Sequence, residues 1–392
     1  MKSLEEIKVK GRTVFLRVDF NVPLDDNLNI RDDTRIQASL PTIKYLLEKG
    51  ARLVVASHLG RPKGQFNPKM SLKPVAVRLG KLLPGTEIIM APDVIGDEVN
   101  RLKKELREGQ LLLLENVRFY KQETDNDPEF SKKLAEGCDV FVNDAFGSCH
   151  RAHASVVGIA SFIKEKAAGY LLQKEVNYLS QLTRKPEKPY VAILGGAKIE
   201  DKIPVLETLV SRAEALLVGG AMAYTFLKAQ GKQVGKSLVE EDKLEIAREI
   251  MKKAEENETN FLLPFDHVMT ASIESKEISR ISDSYPLPDD LMGVDIGPKT
   301  IEEYRKRIKS ARTIFWNGPL GVFEVEAFSK GTTEIARAVA DSGAFSVVGG
   351  GDSIAAIQKA GVTNKISHLS TGGGASLEFV AYGTLPGIEA LE

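Results

Sequence analysis

The chain is predicted to be an α/β protein built on parallel sheets, and three observations predict it. Short β-rich runs alternate with segments of helical period from end to end, the pattern of parallel sheets carrying helices on both faces. The runs are continuously apolar, as strands buried on both faces must be. The length of 392 residues exceeds the ~250–300 at which one hydrophobic core stops growing, so two such domains are expected.

In the first half the strands are Thr13-Val-Phe-Leu-Arg-Val, Arg52-Leu-Val-Val-Ala-Ser, Glu87-Ile-Ile-Met, Gln110 to Leu114 and Asp139-Val-Phe-Val. Helical stretches lie between them; Asp97 to Glu108, for example, has acids in its first turn and Gly109 just past its end. From Tyr170 to Leu182 apolar residues recur at helical spacing, which predicts one long amphipathic helix, and Arg184-Lys-Pro-Glu-Lys-Pro must break it. The second half repeats the plan, with strands at Tyr190 to Leu194, Ala215 to Val218, Asn260 to Leu263, Thr313 to Trp316 and Phe345 to Val348. Helices are expected at Glu240 to Glu256 and Lys299 to Ser310.

Lys and Arg number 53 against 54 Asp and Glu, so no global field would hold the protein on nucleic acid or an anionic membrane. Anion binding must come from local clusters. Only two cysteines occur, Cys138 and Cys149, which supports neither a disulfide framework nor a zinc site and fits a reducing compartment. The N-terminus has no apolar signal stretch and every apolar run is strand-length, so a cytoplasmic protein is expected.

In open parallel sheets ligands bind outside the carboxyl ends of the strands, and there the two halves differ. The first half presents Asp19-Phe20-Asn21, Arg35, His58-Leu59-Gly60-Arg61, Glu115-Asn-Val-Arg118 and Asn143-Asp144, running on to His150-Arg151-Ala-His153. Arg35, Arg61, Arg118 and Arg151 with His58 and His150 are expected to form a cup for a small, multiply charged anion, since guanidinium forks match phosphate and carboxylate oxygens. A single such arginine reads more readily as a solvated surface residue; four in register at strand ends do not. Asp19 and Asn21 read either as contacts to a substrate hydroxyl or as Asx-turn residues.

The second half presents Gly195-Gly-Ala-Lys198, Gly219-Gly220, Asn317-Gly-Pro-Leu-Gly321, Gly349-Gly-Gly-Asp352-Ser353 and Gly372-Gly-Gly-Ala-Ser376. Such turns let backbone N–H groups approach phosphates at a helix start, so a nucleotide site is expected although neither usual phosphate-loop fingerprint occurs. Asp352 reads as a helix N-cap, as a ligand for the Mg²⁺ that accompanies nucleotide phosphates, or as both. Lys198 and Lys202 would share a face if a helix begins there, and so either reach transferring phosphates or lie solvated. Glu324 would accept hydrogen bonds from a ribose or from loop amides. Cys149, next to His150 and Arg151, is expected to have a lowered pKa if exposed and to be inert if buried.

Along nearly its whole length the chain resembles the phosphoglycerate kinase family. The matching segments are Arg17-Val-Asp-Phe-Asn-Val-Pro23, Asp32-Asp-Thr-Arg-Ile36, Ser57-His-Leu-Gly-Arg-Pro62, Leu113-Leu-Glu-Asn-Val-Arg-Phe119, Asn143-Asp-Ala-Phe-Gly147, His150 to His153, Gly195 to Lys198, Trp316-Asn-Gly-Pro319, Gly349 to Asp352 and Ser370 to Ser376. The resemblance implies two Rossmann-like domains at 1–169 and 188–377, joined by a helix and hinge at 170–187, with a C-terminal peptide, about 378–392, packed back on the first domain.

It further implies that 3-phosphoglycerate is held by Asp19, Phe20, Asn21, Arg35, His58, Leu59, Gly60, Arg61, Arg118 and Arg151. ADP or ATP would be held by Lys198, Lys202, Gly293, Asn317, Glu324, Gly350, Gly351, Asp352 and Ser353, with Asp352 serving Mg²⁺. Arg35, Lys198, Gly373 and Gly374 would act on the moving phosphoryl group. The chain departs from the family pattern at Cys149, where Ala is frequent, and at Ser353, where Thr is common; neither change removes a charge or a metal ligand.

A carboxylate acceptor is already ionised at pH 7 and needs no general base, consistent with the lack of any Ser-His-Asp or Cys-His constellation. The implied reaction is direct in-line transfer between 1,3-bisphosphoglycerate and ADP in a monomer without nucleic-acid or membrane partners. The rival readings are a non-catalytic protein that closes on a phosphorylated ligand, which leaves Lys198, Lys202 and Asp352 unexplained, and a nicotinamide dehydrogenase, which lacks its fingerprint.

Overall fold

Six strands of the first half pair in parallel: β1 (Thr13–Arg17), β2 (Arg52–Ala56), β3 (Ile88–Met90), β4 (Leu111–Leu113), β5 (Val140–Asn143) and β6 (Glu165–Ala168), in the order β3-β4-β2-β1-β5-β6. Val14 and Leu16 of β1, Leu53 and Val55 of β2 and Val140 and Val142 of β5 turn one face toward Ile36, Ile43 and Leu46 of the helix Thr34–Glu48, all fully buried. Each such side chain contributes roughly 1.5–3 kcal/mol of burial. β1 pairs from Thr13↔Arg52 to Arg17↔Ala56 on one side and from Val14↔Val140 to Arg17↔Asn143 on the other. That register releases the chain from all three strands along one edge, where the polar residues follow. β6 was not foreseen, because Glu165-Lys-Ala-Ala is half-polar and lacks a strand-like apolar run.

The second half forms another parallel sheet from β7 (Tyr190–Leu194), β8 (Ala215–Val218), β9 (Asn260–Leu262), β13 (Thr313–Asn317), β14 (Phe345–Gly349) and β15 (His368–Ser370), in the order β15-β14-β13-β7-β8-β9. Leu194, Asn317, Gly349 and Ser370 stand in one row across it. From β7 the chain winds outward to β8 and β9, then returns to β13 on the other side of β7. This reversal between β7 and β13 is where ligands bind in such sheets.

The purely parallel expectation is corrected by a small antiparallel sheet, β11 (Arg280–Ser282), β10 (His267–Thr270) and β12 (Met292–Ile296), in that order. Its strands are short, and the β10–β12 register shifts between Val268 and Met269, so no run was long enough to read.

The computed structural model describes residues 1–392. It divides into one unit of Met1–Asn177 with Thr384–Glu392 and a second of Tyr178–Gly383. The first division falls inside the helix Tyr170–Thr183, and residues 378–382 belong to the helix Gly374–Tyr382 of the second unit rather than to the returning tail. In the first unit the tail is fixed where Gly387 donates its N–H to the Cys149 carbonyl at 2.9 Å and accepts from Asn143 Nδ2 at 3.3 Å. No helix is long and apolar enough to cross a membrane.

Candidate active site

The edge of the first sheet gathers cations around one carboxylate. Asp19 Oδ1 accepts the N–H of Asn21 at 3.0 Å, an Asx turn, while Oδ2 pairs with Arg35 Nη1 at 3.1 Å. The Asx-turn reading of Asp19 therefore holds, and its second oxygen orients Arg35. Asn21 Oδ1 accepts from the N–H of Gly60 at 2.8 Å, and Arg118 Nη1 donates to the Gly60 carbonyl at 2.9 Å. The loops after β1, β2 and β4 are thus tied together. Arg118 is buried, and its Nε has no acceptor in the protein. Arg151 Nε donates to His150 Nε2 at 3.1 Å.

Beneath this cluster lies Arg17, which sequence reasoning read only as part of strand β1. It is fully buried and donates from Nε to Ser155 Oγ at 2.8 Å and from Nη2 to His58 Nδ1 at 3.2 Å. Ser155 in turn donates from Oγ at 2.6 Å and from N at 2.9 Å to the buried carboxylate of Glu123. A buried charge pair needs such a satisfied network to be tolerated. Only the placement of a charged residue inside an apolar strand hinted at it.

The cations disfavour one another. Burial, reinforced by Arg17 and Arg151, lowers the Arg118 pKa to about 10, and burial with the same kind of neighbours lowers His150 to about 4 and His153 to about 3. Burial opposes ionisation of Asp19, while the charges of Arg35 and Arg17 and the N–H of Asn21 favour its carboxylate. With His58 itself neutral, the arginines are the working charges. A surplus of unneutralised positive charge around one carboxylate is an electrostatic complement to an anion bearing more than one negative group.

The structure also places Arg61, Phe20, Leu59 and Cys149. Arg61 is exposed and makes no hydrogen bond or ion pair within the protein. The side chains of Phe20 and Leu59 lie in the hydrophobic core, leaving only their backbone near the site. Cys149 is fully buried under Gly387, and burial pushes its thiol pKa up to about 12, which is the buried, inert alternative of the two the sequence offered.

In the second unit the glycine turns split into two kinds. A Cβ on Gly195 would lie 2.1 Å from the Pro319 carbonyl oxygen and one on Gly318 2.2 Å from that of Gly195, so these glycines let the loops after β7 and β13 pass each other. The N–H groups of Gly195, Gly196, Gly219 and Gly220 all donate to carbonyls of the protein. The expectation that these four reach phosphates is therefore corrected.

The turn after β14 is different. Gly350, at φ 91°, caps the helix Gly351–Lys359 without a side-chain bond, and the first helical bond runs from Ile354 N to Gly350 O. The N–H groups of Gly351, Asp352 and Ser353 are left without acceptors, and a Cβ on Gly351 would meet no atom within 4 Å. This is an open anion cradle. Asp352 is not the N-cap; it lies exposed in the first turn. Ser353 is buried, and its Oγ accepts the N–H of Gly318 at 2.6 Å.

Lys198, Lys202, Asn317, Gly350, Gly351, Asp352 and Ser353 line one cavity of about 390 Å³. The two lysines reach it from a loop and the 3₁₀ turn Glu200–Lys202, and the α-helix begins only at Ile203, after both. Lys202 is buried, makes no hydrogen bond or ion pair, and has its ammonium 3.4 Å from the Cβ position of Gly196. Burial lowers its pKa, opposed by Asp201 and Asp352.

An adjoining cavity of about 230 Å³ shares Gly196, Ala197, Pro319 and Asp352 with the first and is walled by Tyr224, Gly293, Asp295, Leu320, Val322 and Glu324. Gly293 is required there because a Cβ would lie 1.7 Å from the Tyr224 hydroxyl. Tyr224 and Val322 carried no signal in the sequence, whereas Leu320 lies in the Asn317–Gly321 turn already expected at the nucleotide site. At the start of the helix Gly374–Tyr382, Gly373 adopts φ 57°, and the N–H groups of Gly373 and Gly374 have no protein acceptor.

No three or more His, Cys, Asp or Glu side chains gather as a metal cluster. Asp352 nevertheless fits Mg²⁺: its carboxylate makes no hydrogen bond or ion pair within the protein and the residue lines both cavities, and one such carboxylate beside a phosphate site is the protein share that Mg²⁺ commonly takes.

The family model described as phosphoglycerate kinase matches residues 4–382. A phosphoglycerate kinase of Anaeromyxobacter sp. (strain Fw109-5) is 54% identical over 394 residues, covering 100% of this chain and 99% of that protein. A cytosolic phosphoglycerate kinase of Triticum aestivum is 52% identical, covering 100% and 98%. The solved structure of phosphoglycerate kinase from Coxiella burnetii superposes with a TM-score of 0.89 at 42% identity, over 99% of this chain and 98% of that one.

Proposed function

The chain belongs to the phosphoglycerate kinase family, and from that premise we propose that it transfers a phosphoryl group reversibly between the acyl phosphate of 1,3-bisphosphoglycerate and ADP, giving 3-phosphoglycerate and ATP. The observation that carries this reading is the buried, unpaired Lys202 ammonium in one cavity with the three free N–H groups of Gly351 to Ser353. A protein that only closed on a phosphorylated acid would have no use for this second anion site.

The cluster of Asp19, Asn21, Arg35, His58, Arg118 and Arg151 holds the phosphoglycerate. Arg118 supplies positive charge to the anion, and Asp19 orients Arg35. The Lys202 cavity holds the nucleotide phosphates, and the cavity walled by Tyr224 and Leu320 holds the base, with Glu324 at its rim. Asp352 would hold Mg²⁺, which when bound neutralises phosphate charge. The acceptor carboxylate is ionised at pH 7, so no side chain has to remove a proton. Arg35, Lys198 and the free N–H groups of Gly373 and Gly374 stabilise charge on the transferred group.

In-line transfer needs the reacting oxygens within about 3–3.5 Å of one another. The ligand sets belong to different units, so the joining segment 170–187 is assigned the role of hinge. The enzyme acts as a monomer, and a cytoplasmic location follows the name of the wheat relative. A coupled assay with ATP, Mg²⁺ and 3-phosphoglycerate tests the reading: turnover must need all three, and Arg35→Ala must lower it by about 10²–10³-fold. Turnover without 3-phosphoglycerate, or an undiminished Arg35→Ala, would refute it.

A further inference from the structure

The loop that carries Lys198 is held from outside the cavity. After Gly196, whose N–H donates to the Pro319 carbonyl at 2.8 Å, neither Ala197 nor Lys198 has a backbone acceptor. The next anchor is the N–H of Ile199, which donates to Glu240 Oε2 at 2.5 Å. Glu240 is itself fixed, its N–H donating to the Oγ1 of the buried Thr225 at 3.1 Å. Thr225 lies in the helix Met222–Ala229 beside Tyr224, which walls the neighbouring cavity.

A second link runs parallel to the first. Lys243 Nζ lies 3.4 Å from the carboxylate of Glu200, the residue after Ile199, and 2.9 Å from Asp242. The expected helix Glu240 to Glu256 is shortened accordingly: Glu240 is extended at φ −91°, Glu241–Lys243 form a 3₁₀ turn, and the α-helix starts at Leu244. Helix propensity at the first position has yielded to a carboxylate–amide bond, the charge-assisted kind that fixes a backbone most firmly.

We propose that Glu240, seconded by Lys243, is a positioning residue for phosphoryl transfer: it clamps Ile199 and Glu200 and so aims Lys198 and Lys202 at the phosphates. The inference rests on the reading of the Lys202 cavity as the phosphate site. Glu240 touches no ligand. It acts through the loop, and a misplacement of about 1 Å in such a group can lower a rate by about 10²-fold.

The test is a double-mutant cycle in the full-length enzyme, with kcat and both KM values measured for Glu240→Ala, Lys198→Ala and the double variant. Glu240→Ala is expected to lower kcat at least about ten-fold with the KM for 3-phosphoglycerate unchanged, and to lower it less than about three-fold further once Lys198 is alanine. Glu240→Gln, whose amide oxygen still accepts from Ile199, is expected to retain most of the activity. A fully additive double variant, or full activity in Glu240→Ala, would overturn the clamp. Full activity in Lys198→Ala would instead overturn the reading of the cavity, and the clamp with it. If Glu240→Ala does not fold, Lys243→Gln makes the same cycle through Glu200.

Discussion

Arg17 Nη2 lies 3.2 Å from Nδ1 of His58, and because a guanidinium can only donate, Nδ1 must accept and the His58 proton must sit on Nε2. Burial lowers the His58 pKa well below the usual value, Asp19 opposes, and Arg17, Arg118 and Arg35 add to the lowering. The cation cluster therefore contains a neutral, directional donor. Nitrogen NMR of the histidine rings, assigned by loss of the His58→Asn signal, should show the Nε2–H tautomer with no titration from about pH 5 to 8. Titration near the ordinary value would mean that Arg17 does not fix the ring.

Anion binding should pull protons in. His150 is held at about 4 by burial and by Arg151, with Arg118 adding to the effect. A ligand that neutralises these arginines removes their repulsion and raises the His150 pKa. Calorimetric titration of 3-phosphoglycerate near pH 5 in buffers of different ionisation enthalpy should therefore show proton uptake, absent at pH 8 and reduced in His150→Gln.

A buried carboxylate at the start of the joining helix makes stability depend on pH. Asp144 Oδ1 accepts the N–H of Leu172 at 3.1 Å, Oδ2 has no partner, and burial raises the pKa to about 7 from 3.8. The native state keeps this proton between about pH 4 and 7 while the unfolded chain has lost it, so the stability it supplies is lost as pH rises through 7. Asp144→Asn should gain at most about 4 kcal/mol relative to the parent between pH 4 and 8. Urea unfolding across that range checks it; parallel pH profiles would show that Asp144 does not titrate there.

Two glycines in neighbouring turns should fail in opposite ways. Gly195→Ala drives a methyl to 2.1 Å from the Pro319 carbonyl and should destabilise the second unit by about 1–3 kcal/mol or more. Gly351→Ala meets nothing; it should fold normally and weaken Mg-nucleotide binding by crowding the phosphates. Thermal unfolding paired with ADP titration separates the two.

Much of this was legible in the sequence because it depends on strand ends. The apolar runs gave both parallel sheets, and in-register pairing then brought Asp19, His58 and Arg118 together as expected. What stayed hidden depends on what packs against what. Gly195 and Gly351 look alike in sequence, yet one accommodates another loop and the other faces open space. Arg17 reads as strand, and only the fold shows it beneath His58. Arg61 and Arg118 both follow strands in the sequence, but Arg118 is buried and bonded to the Gly60 carbonyl while Arg61 is exposed.

The division of labour between the two units is tested most directly by calorimetric titration of Arg118→Met and Asp352→Asn, each with 3-phosphoglycerate and with Mg-ADP. Arg118→Met should lose most of its affinity for 3-phosphoglycerate and bind Mg-ADP as the parent does, and Asp352→Asn should show the reverse. If either variant loses both ligands equally, or if Arg118→Met binds 3-phosphoglycerate unchanged, the assignment of the acid to the arginine cluster and of the nucleotide to the Lys202 cavity is contradicted.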